Sequence, residues 1–102
     1  MYHSYIENTC LVSGNQDFCG TIKGNVIVEH NVIFVNYGMI CGDVNVKEGA
    51  TFINRGTVNG NVSGDGNAEI IGLLNGKLST RHYNVYRGAV IDGMCCEEDI
   101  RK

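Results

Sequence analysis

Histidines, acidic residues and cysteines are the side chains in this chain that could perform chemistry, and their spacing limits what they can do. His30 and His82 fall at equivalent corners of an internal repeat but three repeats apart, about 14 Å in a stack of strands. One metal ion cannot bridge that distance, and neither can an acid–base pair. Asp65 and Glu69 lie close in sequence, but residues 64–67 indicate a plain turn, so no acid–base pair is expected there. We therefore predict that the protein is not an enzyme and needs no cofactor, metal or small-molecule substrate.

The five cysteines form neither a disulfide framework nor a zinc site, because their number is odd and C-x-x-C spacing is lacking. Cys95 and Cys96 are neighbours, and neighbouring strand residues point to opposite faces, so their sulfurs diverge. The others are Cys10, Cys19 and Cys41. Free thiols, most of them buried, are expected.

Composition and charge describe one small β-rich domain. The 102 residues include 14 glycines and no proline, and 43% of them are hydrophobic, which argues against a disordered chain and against long helices. The net charge of −3 comes from the two ends, and no basic stripe favours nucleic acid or membrane as a partner. The first residues lack the pattern of a signal peptide, so we predict a cytoplasmic location.

Five short segments nearly superimpose and define an internal repeat. They are GTIKGNV from Gly20, GMICGDV from Gly38, GTVNGNV from Gly56, GLLNGKL from Gly72 and GAVIDGM from Gly88, at spacings of 18, 18, 16 and 16 residues. Apolar residues alternate within each segment, as in a strand and unlike a helix. The sequence therefore predicts an all-β, single-domain parallel β-helix, or β-solenoid, of about five coils of 16–18 residues.

Stacking the repeats in register predicts five columns of inward-facing side chains. The columns are Ile22, Ile40, Val58, Leu74 and Val90; Val26, Val44, Val62, Leu78 and Met94; Val28, Val46, Gly64 and Thr80; Val32, Ala50, Ala68 and Asn84; and Phe34, Phe52, Ile70 and Tyr86. Two polar columns, Asn25–Asp43–Asn61 and Asn36–Asn54, are expected to bond along the stack. A glycine column, Gly24, Gly42, Gly60 and Gly76, indicates corners that need either a positive φ or close approach of coils.

One weaker similarity is to the hexapeptide-repeat acyltransferases, which are left-handed β-helices. Ile22, Val28, Phe34 and Ile40 recur every six residues, as in that repeat. Those enzymes usually place glycine directly after the aliphatic residue, whereas here it comes one position later, and the 16-residue coils break the six-residue phase. An acyltransferase relative is the third hypothesis for function.

The returning G-x-[IV]-x-G-[ND]-V at Gly20, Gly38 and Gly56, together with the ending GAVIDGMC from Gly88, resembles the bactofilins. These are polymer-forming bacterial cytoskeletal proteins. The resemblance implies a right-handed, three-sided β-helix and a scaffold function through self-association. We assign residues 20–94 to the β-helix, residues 1–19 to an N-terminal lead that could cap the first coil, and residues 95–102 to a short charged tail.

Self-association is expected at the C-terminal end, because that tail is too short and polar to bury an apolar cross-section. The contact would involve Val90 and Met94, giving tail-to-tail dimers if the lead caps the first coil and filaments if it does not.

A second surface is suggested by apolar residues that alternate with the inward columns and so should face outward. They include Ile33, Val35, Tyr37, Met39 and Ile53. They could be covered by the lead, or the register could be miscounted; otherwise they form a face for one protein partner. The alternative function is therefore a discrete protein-binding module, such as an inhibitor or immunity protein.

Overall fold

The computed structural model of the protein describes residues 2–6, 10–86, 88–91, 94–95 and 100–101. Within them the chain forms fifteen strands and no helix. In chain order the strands are β1 (Tyr2–Ile6), β2 (Cys10–Val12), β3 (Gln16–Ile22), β4 (Val26–Val28), β5 (Ile33–Asn36), β6 (Met39–Ile40), β7 (Val44–Val46), β8 (Thr51–Asn54), β9 (Thr57–Val58), β10 (Val62–Ile70), β11 (Leu73–Leu74), β12 (Leu78–Val85), β13 (Val90–Ile91), β14 (Met94–Cys95) and β15 (Ile100–Arg101).

The strands stack in three parallel ladders, which form the three faces of a rod. The first face contains β2, β4, β7 and the beginnings of β10 and β12. The second contains the beginning of β3, then β5, β8 and the ends of β10 and β12. The third contains the end of β3, then β6, β9, β11 and β13. The predicted all-β parallel β-helix is confirmed, with three short strands in a typical coil.

Three of the predicted columns are confirmed through four coils. The strand pairings align Ile22, Ile40, Val58 and Leu74; Val26, Val44, Val62 and Leu78; and Val28, Val46, Gly64 and Thr80. The central valines and isoleucines of these columns are fully buried. Each buried aliphatic side chain stabilises the fold by about 1.5–3 kcal/mol, which makes these columns the main source of stability.

On the second face the predicted register is wrong from the third coil onward. Residues 47–50 form a corner in one coil, whereas residues 65–66 make the same corner in the next, so the coil shortens there. The prediction placed the shortening after Ile70. As a result Ala68 pairs with Phe52, and Ile70 pairs with Asn54. The tight corner depends on Gly64, whose φ of +123° lies outside the range that side chains favour.

In the next coil the register of the second face shifts by one more residue, so Asn84 and Tyr86 do not occupy the predicted columns. Tyr83 stacks on Ala68, and Val85 stacks on Ile70. Tyr86 instead lies beyond the end of β12, where its hydroxyl donates a hydrogen bond of 2.7 Å to Glu69 Oε1.

The predictions that placed Val90 and Met94 on inward columns are also wrong. Val90 pairs with Leu73 on an outward column, and Ile91 takes the position above Leu74. The preceding corner contains Gly88 at a φ of +94°, and the step from Leu74 to Ile91 is 17 residues, one more than the 16 of the sequence alignment. Met94 does not extend the valine column, because it pairs antiparallel with Ile91.

The two polar columns bond along the stack as predicted. Asn36 and Asn54 are fully buried, and Asn36 Nδ2 donates to Asn54 Oδ1 over 3.1 Å while Asn54 Nδ2 donates to Leu73 O over 2.9 Å. At the surface, side-chain oxygens of Asn25 and Asp43 accept backbone N–H groups of the next coil. Every buried side-chain polar atom in the described residues has a hydrogen-bond partner. The amide ladder formed by Asn36 and Asn54 therefore specifies the register of the coils without leaving a buried polar group unpaired.

The predicted glycine column is explained by close approach of the coils. Gly42, Gly60 and Gly76 do not have a positive φ, but a Cβ on any of them would overlap the carbonyl oxygen of the glycine one coil before. Neighbouring coils therefore touch backbone to backbone at this corner.

Replacing Gly60 by alanine should destabilise the protein by at least about 2 kcal/mol, because the methyl group must push two coils apart. Gly14→Ala is the matched control, since a Cβ there meets nothing within 4 Å, and its effect should stay within about 0.5 kcal/mol. Urea unfolding monitored by circular dichroism measures both. Equal stabilities of the two variants would contradict the stacked-corner explanation.

The alternation of buried and exposed residues in β7 and β10 predicts a sharp contrast between neighbouring positions. Val44→Asp should unfold the protein, because a buried unpaired carboxylate costs several kcal/mol in a domain whose stability is about 5–15 kcal/mol. Asn45→Asp, one residue away on the outside, should be nearly silent. Val62→Lys and Ser63→Lys form a second matched pair. Thermal melts that show equal tolerance within a pair would overturn the register.

Candidate functional site

The structure places the two histidines at different positions of the coil. His30 lies at a corner, with Nδ1 3.1 Å from the Glu48 carbonyl oxygen. His82 lies within β12 opposite Asn67, on the second face, so the predicted equivalence of the two positions is wrong. Among the described residues, no three histidine, cysteine or acidic side chains come together as metal ligands do.

A shallow recess forms where the four-residue corner at residues 47–50 lies beside the two-residue corner at residues 65–66 of the next coil. Its volume is about 380 Å³, and its lining includes Glu48, Asp65, Arg81 and His82. All four side chains are exposed to solvent. Water therefore screens their charges, and the recess lacks the desolvated, fixed geometry that catalysis requires.

Cys10, Cys19 and Cys41 are free thiols, as predicted, but they are half-buried and not fully buried as expected. Burial raises the pKa of the Cys10 thiol, which keeps it protonated and unreactive near neutral pH. Cys41 Sγ accepts a weak hydrogen bond from Asn59 Nδ2 at 3.9 Å. Cys95 lies in β14, and Cys96 lies outside the described residues.

The apolar residues predicted to face outward do so. Ile33, Tyr37 and Met39 are 46%, 43% and 41% exposed, and Val35 and Ile53 are half-buried on the second face. Ile33 and Met39 belong to different faces, with Tyr37 at the corner between them, so these residues wrap around an edge of the rod.

Leu11 is more exposed than any of them, at 59%, and sequence analysis did not single it out as a surface residue. It lies on β2 between the inward-facing Cys10 and Val12, which stack on Val26 and Val28. The same in–out alternation that defines the other strands could have revealed it.

At the N-terminal end, the lead adds strands to the stack. β1 pairs parallel with β3, and β2 pairs parallel with β4, so the β-helix of the structure begins before Gly20. In the part of the chain that the structure describes, no strand pairs with the outer edges of β1 and β2.

The polar groups of that edge can be assigned from alternation. Cys10 N donates to Asn25 O, and Val12 O accepts from Glu29 N, so Cys10 and Val12 bond to β4. In a parallel ladder the intervening residue points its N–H and C=O the other way. Leu11 therefore presents both backbone groups to the open side of the first coil.

At the C-terminal end, short strands run back along the last coil. β14 pairs antiparallel with β13, aligning Val90 with Cys95, and β15 pairs antiparallel with β12. Val90 is half-buried. The structure thus brings the backbones of Val90 and Met94 to one edge, already paired within the chain.

Comparison with known proteins identifies the family of this chain. The family model described as "Bactofilin: Polymer-forming cytoskeletal" matches residues 3–96. No curated protein and no solved structure matches. None of the described residues forms a helix long and apolar enough to cross a membrane. Because the match spans nearly all of a chain that folds as a parallel β-helix, the protein belongs to the bactofilin family of polymer-forming cytoskeletal proteins.

Proposed function

We propose that the protein is a cytoskeletal scaffold that self-associates through the ends of its β-helix. The observation that carries this proposal is the edge formed by β1 and β2, whose outer sides have no partner strand in the described residues. Unpaired strand edges either receive a cover or pair with another molecule. A second copy offers strands of the same length and spacing, so it suits this edge.

The described coils support growth by stacking. In the coils from β4 to β9, each coil bonds to the next through backbone groups on three faces, and most core side chains stack on similar neighbours. Phe34 and Phe52 stack with ring centroids 5.9 Å apart, and Phe18 lies 6.3 Å from Phe34. A molecule added at the end would continue a pattern that the chain already repeats within itself.

The proposed role needs no catalysis, cofactor or small-molecule substrate, in line with the structural character of the family. We propose the cytoplasm as its location. The free thiols of Cys10, Cys19 and Cys41 fit a reducing compartment, where cysteines stay unpaired. The partner is another copy of the chain, and the sequence has no clustered basic residues that would favour nucleic acid.

Val90 and Met94 remain the proposed contact at the other end. Met94 itself belongs to β14 and pairs with Ile91, so a second copy can reach the backbone edge beside Val90 only when β14, with Met94, moves off β13. The edge at β1 and β2 needs no such rearrangement.

The second candidate function is a discrete module that binds one protein partner, such as an inhibitor or immunity protein. It is favoured by the exposure of Ile33, Tyr37 and Met39, each above 40%, with the half-buried Val35 and Ile53 beside them. Large apolar side chains exposed together mark protein-binding surfaces. This second candidate function predicts that the protein is a monomer whose exposed apolar residues are covered by the protein partner.

Leu11→Pro tests the scaffold proposal. Proline removes the N–H that points to the open edge and leaves the bonds from Cys10 and Val12 to β4 intact, and edge strands tolerate proline. We expect wild-type oligomers, seen by negative-stain microscopy and sedimentation velocity, to shift to smaller species. Leu11→Ala is the control for the lost side chain and should assemble through the same backbone groups.

A wild-type protein that stays monomeric at all concentrations would contradict the scaffold proposal and favour the binding module. Retained oligomers in a folded Leu11→Pro variant would exclude the N-terminal edge as the contact.

A further inference from the structure

The pairing at the C-terminal end differs in kind from the rest of the fold. Consecutive coils pair in parallel throughout, whereas the two antiparallel pairings in the described residues both involve the last coil, β13 with β14 and β12 with β15. These are the outer edges of the second and third faces at this end, whereas the beginning of β12, on the first face, has no outer partner strand in the described residues. The last strands of the chain therefore occupy two of the three edges on which another molecule would stack.

The first of these pairings saturates the edge of β13. Val90 N donates to Gly72 O over 3.1 Å, so the backbone groups of Val90 point to β11. By alternation, those of Ile91 point to the opposite side, where Met94 is its partner. The sequence between them is Asp92 and Gly93, the pair of residue types most typical of a two-residue hairpin connection.

The second pairing acts in the same way on β12. Tyr86 N donates to Ile70 O over 3.0 Å, so Tyr86 bonds toward β10 and the backbone groups of Val85 point to the outer side. There Ile100 is the partner of Val85, and Arg101 is the partner of Asn84. Val85 and Ile91 are the C-terminal counterparts of Leu11, but both have partners within the chain.

We infer that β14 and β15 form a built-in end cap that blocks self-association at the C-terminal end. This inference rests on the proposed scaffold function. It makes the two ends of the rod unequal: the edge at Leu11 is available, whereas the edge at Val85 and Ile91 opens only when the cap is displaced. Assembly of the capped protein stops at dimers joined through their N-terminal edges, and filaments require release of the cap.

A tethered strand is a strong competitor for this edge. A segment joined by a short connection has an effective concentration on the order of millimolar at its binding site. A second copy at a lower concentration displaces the cap only if it bonds more tightly than the antiparallel strands do. The cap therefore sets a threshold, and local crowding of the protein at one place is what would exceed it.

The test uses the full chain with Met94→Pro and Ile100→Pro combined. Proline lacks the N–H that each position needs for its antiparallel partner. The matched control combines Met94→Ala and Ile100→Ala, which keeps both N–H groups. Sedimentation velocity and negative-stain microscopy should show dimers for the wild type and the alanine control, and filaments for the proline variant. Adding Leu11→Pro to the proline variant should reduce the filaments to dimers joined at their C-terminal ends.

The outcomes separate the inference from the function on which it rests. If the folded proline variant has the same size distribution as the wild type, while Leu11→Pro still dissociates the wild type, the cap inference is wrong and the scaffold proposal stands. If every form is a folded monomer, both are wrong. Hydrogen exchange of the wild type gives a check that needs no variant: the Val85 and Ile91 amides should be protected in dimers, and rapid exchange of both would overturn the cap.

Discussion

Parallel backbone hydrogen bonding between successive coils is the constraint on which the rest of the structure depends. Because each coil must match the next strand by strand, coils of equal length favour the same residue type again one coil later, and unlike neighbours such as Ala68 on Phe52 occur where the coil length changes. Valines stack on valines on the first face, Phe34 on Phe52 on the second, and Asn36 on Asn54 in the core. The corner glycines follow from the same constraint, because neighbouring coils leave no room there for a Cβ.

The same bonding makes the ends of the rod the places where function can vary. An interior coil has partners above and below, whereas a terminal coil has an edge that must be covered or shared. This chain treats its two ends differently, with a parallel first coil at β1 and β2 and antiparallel return strands at β14 and β15. By contrast, no three histidine, cysteine or acidic side chains of the described residues come together as metal ligands, and the charged side chains of the corner recess are exposed to solvent.

The sequence predicted the fold and most of the core, because periodic alternation and the glycine spacing are local signals. It failed where coil length changes. Nothing in the alternation shows whether a shortened coil loses residues before Asn67 or after Ile70, and only the pairing of Ala68 with Phe52 decides it. At the end, the Asp92–Gly93 pair was a readable hairpin signal, but it was aligned as one more repeat. Met94 was therefore placed on the wrong column, and Val90 was misplaced because the corner before it is longer than the repeat suggests.

The two coils with four-residue corners, at residues 29–32 and 47–50, determine where such a rod can be lengthened. Asn36 and Asn54 lie 18 residues apart and pair directly, and the corners at residues 29–32 and 47–50 are equally long. A tandem duplication of residues 38–55 would thus meet a matching outline on both sides and continue the amide ladder. A duplication that includes Gly64 and Asn67 would instead stack coils whose corners differ in length. Evolution and design can lengthen this rod in whole turns, but only within its central segment.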